Sequence, residues 1–439
     1  MNVPEGKTQP AGMKVFLPVA IGQIVSITGS ALTGFALGVW VYQRTQSTTQ
    51  YALILLFSML PSLVVAPFIG ALVDRWDRRR VMILSDTGAA ACTVLLAVLV
   101  HFQALQVWQI YVIMAVNSIL RGFQTPAYLA SISLIVPKEQ LGRANGILQF
   151  EGASRYLISP MLAGWLMETI GVTGVMVIDL ITFVVGITTV LMVRFPSPKP
   201  SGSDGAKRKS LWREAGFGWK YIVSRPGFLA LMVLFGLGNY ANLMTDTVLP
   251  PMLLDITSPA ALGSVLSAGG LGMLAGSMLM SAWGGPKRRI LGVLGFKTLA
   301  GVGIMLIGIF QPVAWIAFAT FVYYFPFPLV NGCDQAIWQS KVPPDVQGRV
   351  FATRRMIALS MTPLAYLTAG PLTDKVFKPL LAGDGALAAT LGQFWGSGPA
   401  RGSGLLILLM GLFIVLLTAV TALNPRVRNI ETELADTVE

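Results

Sequence analysis

Charge is what this sequence has least of. Only 12% of its 439 residues are Asp, Glu, Lys or Arg, about half the share of a soluble domain. A water-soluble fold of this length needs more polar cover than that, so an aqueous surface is excluded. Histidine occurs once, as His101 at the end of an apolar run, so a histidine-based metal site or acid–base pair has nothing to be built from. Of the two cysteines, Cys92 and Cys333, each lies inside an apolar run and is expected as a packing residue, not half of a disulfide. There is neither a nucleophile elbow nor a Gly-rich phosphate loop ending in Lys-Ser/Thr. Hydrolytic chemistry and direct use of ATP are thereby removed. The chain is not expected to be an enzyme and no cofactor is expected.

What is present in excess is apolar: 54% of the residues are hydrophobic. Runs of roughly 20 apolar residues recur along the chain, the length one helix needs to cross about 30 Å of hydrocarbon. About twelve spans are read, near 15–42, 51–73, 81–101, 107–135, 144–168, 172–193, 228–250, 259–283, 290–310, 313–340, 350–373 and 403–424. The first is too long for a signal-peptide core and is expected to stay. Basic residues sort by loop. Arg75, Arg78, Arg79, Arg80, Lys138, Arg143, Lys287, Arg288, Arg289, Lys341 and Arg349 follow even-numbered spans. Those loops are therefore expected to be cytoplasmic, as are both termini. The net charge of +12 is thus largely a topology signal, and no nucleic-acid partner is implied.

Segments 1–194 and 228–424 are expected as two six-helix bundles, joined by a cytoplasmic linker at 195–227, with 425–439 a cytoplasmic tail. Residues 195–210 (FPSPKPSGSDGAKRKS) have the composition of a flexible linker. In the following LWREAGFGWKYIVS, Trp212, Trp219, Tyr221 and Ile222 alternate with Arg213, Glu214 and Lys220, which suits an amphipathic helix in the headgroup region. The halves echo one another. Val136-Pro137 with Gly142-Arg143 recurs as Val342-Pro343 with Gly348-Arg349, and Gly70 before its basic cluster recurs as Gly276 before Lys287–Arg289. A duplicated six-span unit is the architecture of alternating-access carriers. The fold expected is all-α and integral to the membrane, with twelve helices in two pseudo-symmetric halves.

The run from Asp74 to Arg80 packs four arginines and two aspartates into seven residues between two apolar spans. Gly70-x-x-x-Asp74-Arg75-x-x-Arg78-Arg79 resembles the signature between spans two and three of the major facilitator superfamily, with Asp77 where that family usually has Gly. Arg121-Gly122-Phe123-Gln124 resembles its span-four motif, and residues 159–164 (SPMLAG) its span-five motif linked to antiporters. The phrases ALTGFALGVWVYQ (31–43), ALVDRWDRRRVM (71–82) and VPKEQLGRANG (136–146) are most similar to the macrolide-efflux branch. The resemblance covers nearly the whole chain. It implies proton-coupled efflux of an amphipathic small molecule, macrolide-like or a natural product, across the inner membrane, and a monomer is expected. The alternatives are an importer or lipid-flipping carrier on the same fold, or a non-transporting membrane sensor.

Candidate residues follow. Gly70, Asp74, Arg75, Arg78, Arg79 and Asp86 are expected to form a conformational latch; the resemblance implies that it holds the outward-facing state. Charges inside spans are costly and by default functional, so Arg121, Glu151, Arg155 and Asp334 are proton-coupling candidates, Glu151 and Arg155 being spaced to pair on one helix face. Asp246 is read as an outer gate or a solvated residue, Asp179 as a bond between helices, and Lys297 as snorkelling toward the cytoplasm. Gln23, Ser26, Ser30 and Thr33 share one face of span one. With Gln124, Tyr128, Asn239, Asn242 and Phe327 they are the substrate-cavity candidates, and Phe35, Trp40, Tyr240 and Tyr324 are further aromatics for an apolar wall. Pro160 and Gly164 are expected to let span five bend.

Overall fold

A computed structural model of the chain describes residues 12–73, 76–193 and 211–433, without the side chains at 70–71, 133–134, 149–156 and 211–215. The all-α expectation holds: no strand occurs among the described residues. In hydrocarbon each backbone N–H must find a carbonyl within its own segment, which leaves the helix as the solution for these apolar runs.

The helices are α1 (Met13–Thr45), α2 (Thr48–Val73), α3 (Arg78–His101), α4 (Val107–Ile135), α5 (Leu141–Met192), α6 (Leu211–Val223), α7 (Pro226–Leu254), α8 (Pro259–Trp283), α9 (Arg289–Ile309), α10 (Val313–Tyr324), α11 (Pro326–Lys341) and α12 (Pro344–Leu372), then the short α13 (Lys378–Leu380) and α14 (Leu391–Trp395), α15 (Pro399–Leu423), α16 (Pro425–Arg428) and α17 (Ile430–Glu433). Nine segments among the described residues are long and apolar enough to cross a membrane, with α10 and α11 counted as one. The 29-residue α4 and α12 are also of spanning length, and α5 is long enough to cross twice. The set is compatible with twelve crossings.

Two breaks have local causes. The 52 residues of α5 would, as one straight helix, exceed twice the ~30 Å of hydrocarbon; the chain reverses at Gly171, where φ is 68° and ψ is −178°, a conformation open essentially to glycine alone. Between α10 and α11 the helix is interrupted at Phe325, ahead of Pro326, which has no N–H to donate to the preceding turn. Pro160 lies inside α5, whose departure from helical dihedrals is at Gly171 and not at the proline.

The chain divides into two compact units. The first comprises Met1–Arg44 and Leu53–Gly202, the second Thr45–Ala52 and Ser203–Glu439. In the first, α3 packs on α4 and α5, around a core that includes Phe16, Met82, Ile135 and Val190. In the second, α9 lies between α15 and α11, and α7 packs on α12 and α15. Phe228 and Trp338 stack in its core at 4.3 Å between ring centroids.

Two segments behave differently from their composition. The amphipathic α6 does not merely face headgroups: it packs on α12, with Arg349 over the Phe217 ring at 4.3 Å and Ile222 fully buried. The described part of the tail is not loose either. Val427 and Ile430 are buried in the same core, and Glu431 accepts from the backbone N–H groups of Arg289 (2.9 Å) and Ile290 (3.2 Å). A carboxylate there satisfies unpaired donors at the start of α9 and complements the helix dipole.

Candidate functional site

The charged loop comes first. Gly70, Asp74 and Arg75 of the expected latch lie outside the described residues or side chains. Asp77 starts α3 as its N-cap, its Oδ1 accepting from the Arg80 N–H at 2.8 Å, with φ −63°. That conformation needs no glycine, which accounts for aspartate at this position. Arg78 donates to the Ala130 carbonyl at 2.8 Å, and Arg79 to Val190 and Leu191 at 3.3 and 2.5 Å. Arg79 therefore caps carbonyls at the end of α5, where a cation is favoured by the helix dipole, and Arg78 reaches a carbonyl within α4. Asp86 sits two turns further along α3, within a cavity.

Among its described residues the first unit holds a pair of cavities, of about 300 and 380 Å³, which share Ser30 and Arg121. The span-one stripe lines them: Gln23, Ser26 and Ser30 the larger, Ser30 and Thr33 the smaller. Gln124 and Tyr128 line the larger as well. Gln124 donates to Gln23 Oε1 at 2.7 Å, and Gln23 in turn to Asp86 Oδ2 at 3.5 Å. This relay links α4, α1 and α3 across the cavity wall. In the smaller cavity Asp179 accepts from Ser30 (3.2 Å), Thr33 (2.8 Å) and Thr93 (3.2 Å), so it bonds α5 to α1 and α3. Arg121 is held by Asn117 through Nε at 3.0 Å. Glu151 and Arg155 lie among the side chains outside the description.

The second unit holds a cavity of about 180 Å³ in which Asn239, Asn242 and Phe327 meet Lys297 and Arg354. Asp334 is fully buried beside it. It forms an ion pair with Arg354 and accepts from the Trp338 indole N–H at 3.0 Å. Arg354 also lies over the Trp338 ring at 5.2 Å and reaches Gln335 at 3.2 Å. Asn239 is anchored to the Ala358 carbonyl at 3.0 Å. Lys297 does not snorkel outward. It is 6% exposed and turns into the cavity with its ammonium 4.7 Å from the Phe235 ring centre.

Other candidates are placed elsewhere. Asp246 accepts from the Tyr323 and Tyr324 hydroxyls at 3.1 and 2.8 Å, so it is tied to α10 and not merely solvated. Tyr240 shares a hydrogen bond with Thr368 at 2.8 Å, and Trp40 underlies Arg44 at 5.4 Å. Arg354 was not singled out by sequence; it carries no signal distinguishing it from Arg349 and Arg355, which flank it in a segment where basic residues read as topology.

Past α12, the π-helical turn Thr373–Phe377 delivers Asp374 to the start of α2, within the second unit. Its carboxylate accepts from Ser47 Oγ (2.8 Å), Thr48 N (3.0 Å), Thr49 N (2.8 Å) and Thr49 Oγ1 (2.8 Å). Partial burial pushes this group up, but the donors at Thr49, Ser47 and Thr48 outweigh it and hold the carboxyl below its ordinary value. Lys378 stands 3.8 Å from Asp374 and 3.6 Å from Asp255. The outer loop is tied down further on, where the Trp395 indole and Arg401 both donate to the Ile309 carbonyl, at 2.5 and 3.0 Å.

Comparison with known proteins adds four findings. A family model described as Major Facilitator Superfamily matches residues 19–365. Macrolide efflux protein A of Streptococcus pyogenes is 26% identical over 365 residues, which span 82% of this chain and 90% of the relative. The multidrug efflux pump Tap of Mycolicibacterium fortuitum is 26% identical over 380 residues, 82% of this chain and 89% of the pump. Among solved structures, an inward-facing, unoccupied bacterial homolog of the human lysosomal transporter Spinster superposes with a TM-score of 0.69 over 97% of this chain and 99% of that one, at 14% identity. That likeness concerns the fold.

Proposed function

The chain belongs to the Major Facilitator Superfamily, and from that membership we propose that it exports an amphipathic small molecule across the inner membrane in exchange for protons. The observation that carries this is the pair of cavities in the first unit, where a polar stripe of α1 meets Arg121, Gln124 and the Tyr128 ring. Each such group is costly in hydrocarbon, which supports a functional role for it. The direction of transport is taken from relatives named as efflux proteins over most of the chain's length. One charge crossing 100 mV supplies about 2.3 kcal/mol before any pH gradient is counted, enough to drive a small molecule uphill.

In this mechanism Gln23, Ser26, Ser30, Thr33 and Tyr128 hold the cargo, and Glu151 exchanges the proton with Arg121 and Arg155 tuning it. Asp334 serves the same coupling from the second half. Asp74 with its arginines latches one conformation. Both termini face the cytoplasm and the protein works as a monomer. The test is flux in proteoliposomes under an imposed pH gradient, against a panel of amphipathic compounds that includes a macrolide. Accumulation that collapses on adding a protonophore is expected. Flux indifferent to the gradient would remove proton coupling, and absence of flux for every compound would favour the sensor alternative. Glu151→Gln is expected to abolish the gradient dependence; retained proton-driven export would take Glu151 out of the mechanism.

A further inference from the structure

The cavity of the second unit is lined by more positive charge than negative. Lys297 and Arg354 both face it. The carboxylate beside them is Asp334, whose two oxygens are already taken, one by Arg354 and the other by the Trp338 indole. Lys297 keeps the face of Phe235 and the longer-range pull of Asp334. Among the described residues no carboxylate or hydrogen-bond acceptor pairs with its ammonium directly. An ammonium withdrawn from water without its own anion is costly, and a ring face returns only part of that cost.

The placement of Lys297 is built into the neighbouring helix. A methyl group at Gly238 would lie 2.6 Å from both Cε and Nζ of Lys297, so α7 carries glycine where the ammonium passes. The rest of the wall includes Leu231, Phe327, Ile357 and Ile414. A largely apolar chamber, with Asn239, Asn242 and Asn331 in its wall and, among the described residues, one uncompensated cation that is buried and directed inward, matches one class of ligand: a mainly apolar body carrying a single negative charge. A neutral or cationic ligand would leave Lys297 without an anion. A dianion would bring one charge too many.

We propose that this cavity is a binding site for the carboxylate of an apolar organic acid, with Lys297 as its counter-ion. Calling that acid cargo rests on the export proposed above; occupancy of the site does not.

The full chain in lipid nanodiscs is titrated calorimetrically with 4-phenylbutyrate, and separately with 4-phenylbutyramide and 4-phenylbutylamine, with empty nanodiscs as the blank. Saturable binding of the acid is expected, with the amide and the amine at least tenfold weaker. Lys297→Met should weaken the acid at least tenfold and leave the amide unchanged. Gly238→Ala keeps every charge but displaces the ammonium, and should weaken the acid several-fold. It also provides the decisive variant if Lys297→Met does not fold, because the group it crowds is the free end of a flexible side chain. Equal affinity for acid and amide would overturn the proposal. So would absence of saturable acid binding, or acid binding that neither variant changes. An acid that binds in nanodiscs yet is not moved in proteoliposomes would leave the site standing and refute only its role in export.

Discussion

Asp334 shows how a single residue is made tolerable inside this bundle. Its charge is buried, and Arg354 and Trp338 between them satisfy both oxygens. Breaking such a pair from one side is worse than removing it, because the surviving charge has no water to return to. Arg354→Met is therefore expected to destabilise the second unit by about 3–5 kcal/mol, and Arg354→Met with Asp334→Asn by clearly less. Apparent melting temperatures of the purified variants check this; a double variant worse than the single would contradict it. At this scale the sequence was legible where polarity interrupts an apolar helix. Gln23, Ser30 and Thr33 stand out by helical spacing, Asn239 and Asn242 as polar residues in an apolar span, and these five line cavities. Lys297 was misread because depth along a helix says nothing of direction. Which way it points depends on α9 being flanked by α11 and α15, and no local pattern encodes that.

Among the elements, the backbone of α5 at Gly171 holds a conformation open essentially to glycine alone. Apart from the adjoining backbone, no atom lies within 4 Å of a Cβ placed there, so substitution is opposed by conformation and not by packing. Gly171→Ala should cost about 1–3 kcal/mol, read as a lowered apparent melting temperature with no change in the cavities. The cap that Asp374 provides for α2 belongs to the same scale. Its carboxyl is held below the ordinary value, so the deprotonated form is the one the fold prefers. The stabilisation is complete above the unfolded value of about 3.9 and is lost as pH falls through the lower folded value. Asp374→Ala should thus cost about 0.5–2 kcal/mol at neutral pH, and the gap from the native protein should close in strong acid. A gap that persists there would mean the contribution is packing and not charge. The reversal near 168–172 was legible from the lengths of the apolar runs. The cap was not, since Asp374 and Thr48 are far apart in sequence and neither carries a motif.

For the whole molecule, the duplication visible in Val136-Pro137 and Val342-Pro343 has its counterpart in paired structure: each dipeptide closes a helix, α4 at Ile135 and α11 at Lys341, just before the next begins. The family was legible partly because one of its signatures, at 70–79, lies in a loop that reads as charge against an apolar background, and partly from motifs inside the spans. The packing of the tail was not, because residues 425–433 have the composition of a solvent-exposed end. That packing bears on how the protein is made. Val427, Ile430 and Glu431 complete the core and the α9 terminus of the second unit, so this half cannot close while those residues are still inside the ribosome. Insertion of its helices and their final consolidation are separate events in biogenesis. A chain cut after Leu423 should reach the membrane, yet be cleared by quality-control proteases more quickly than the intact protein.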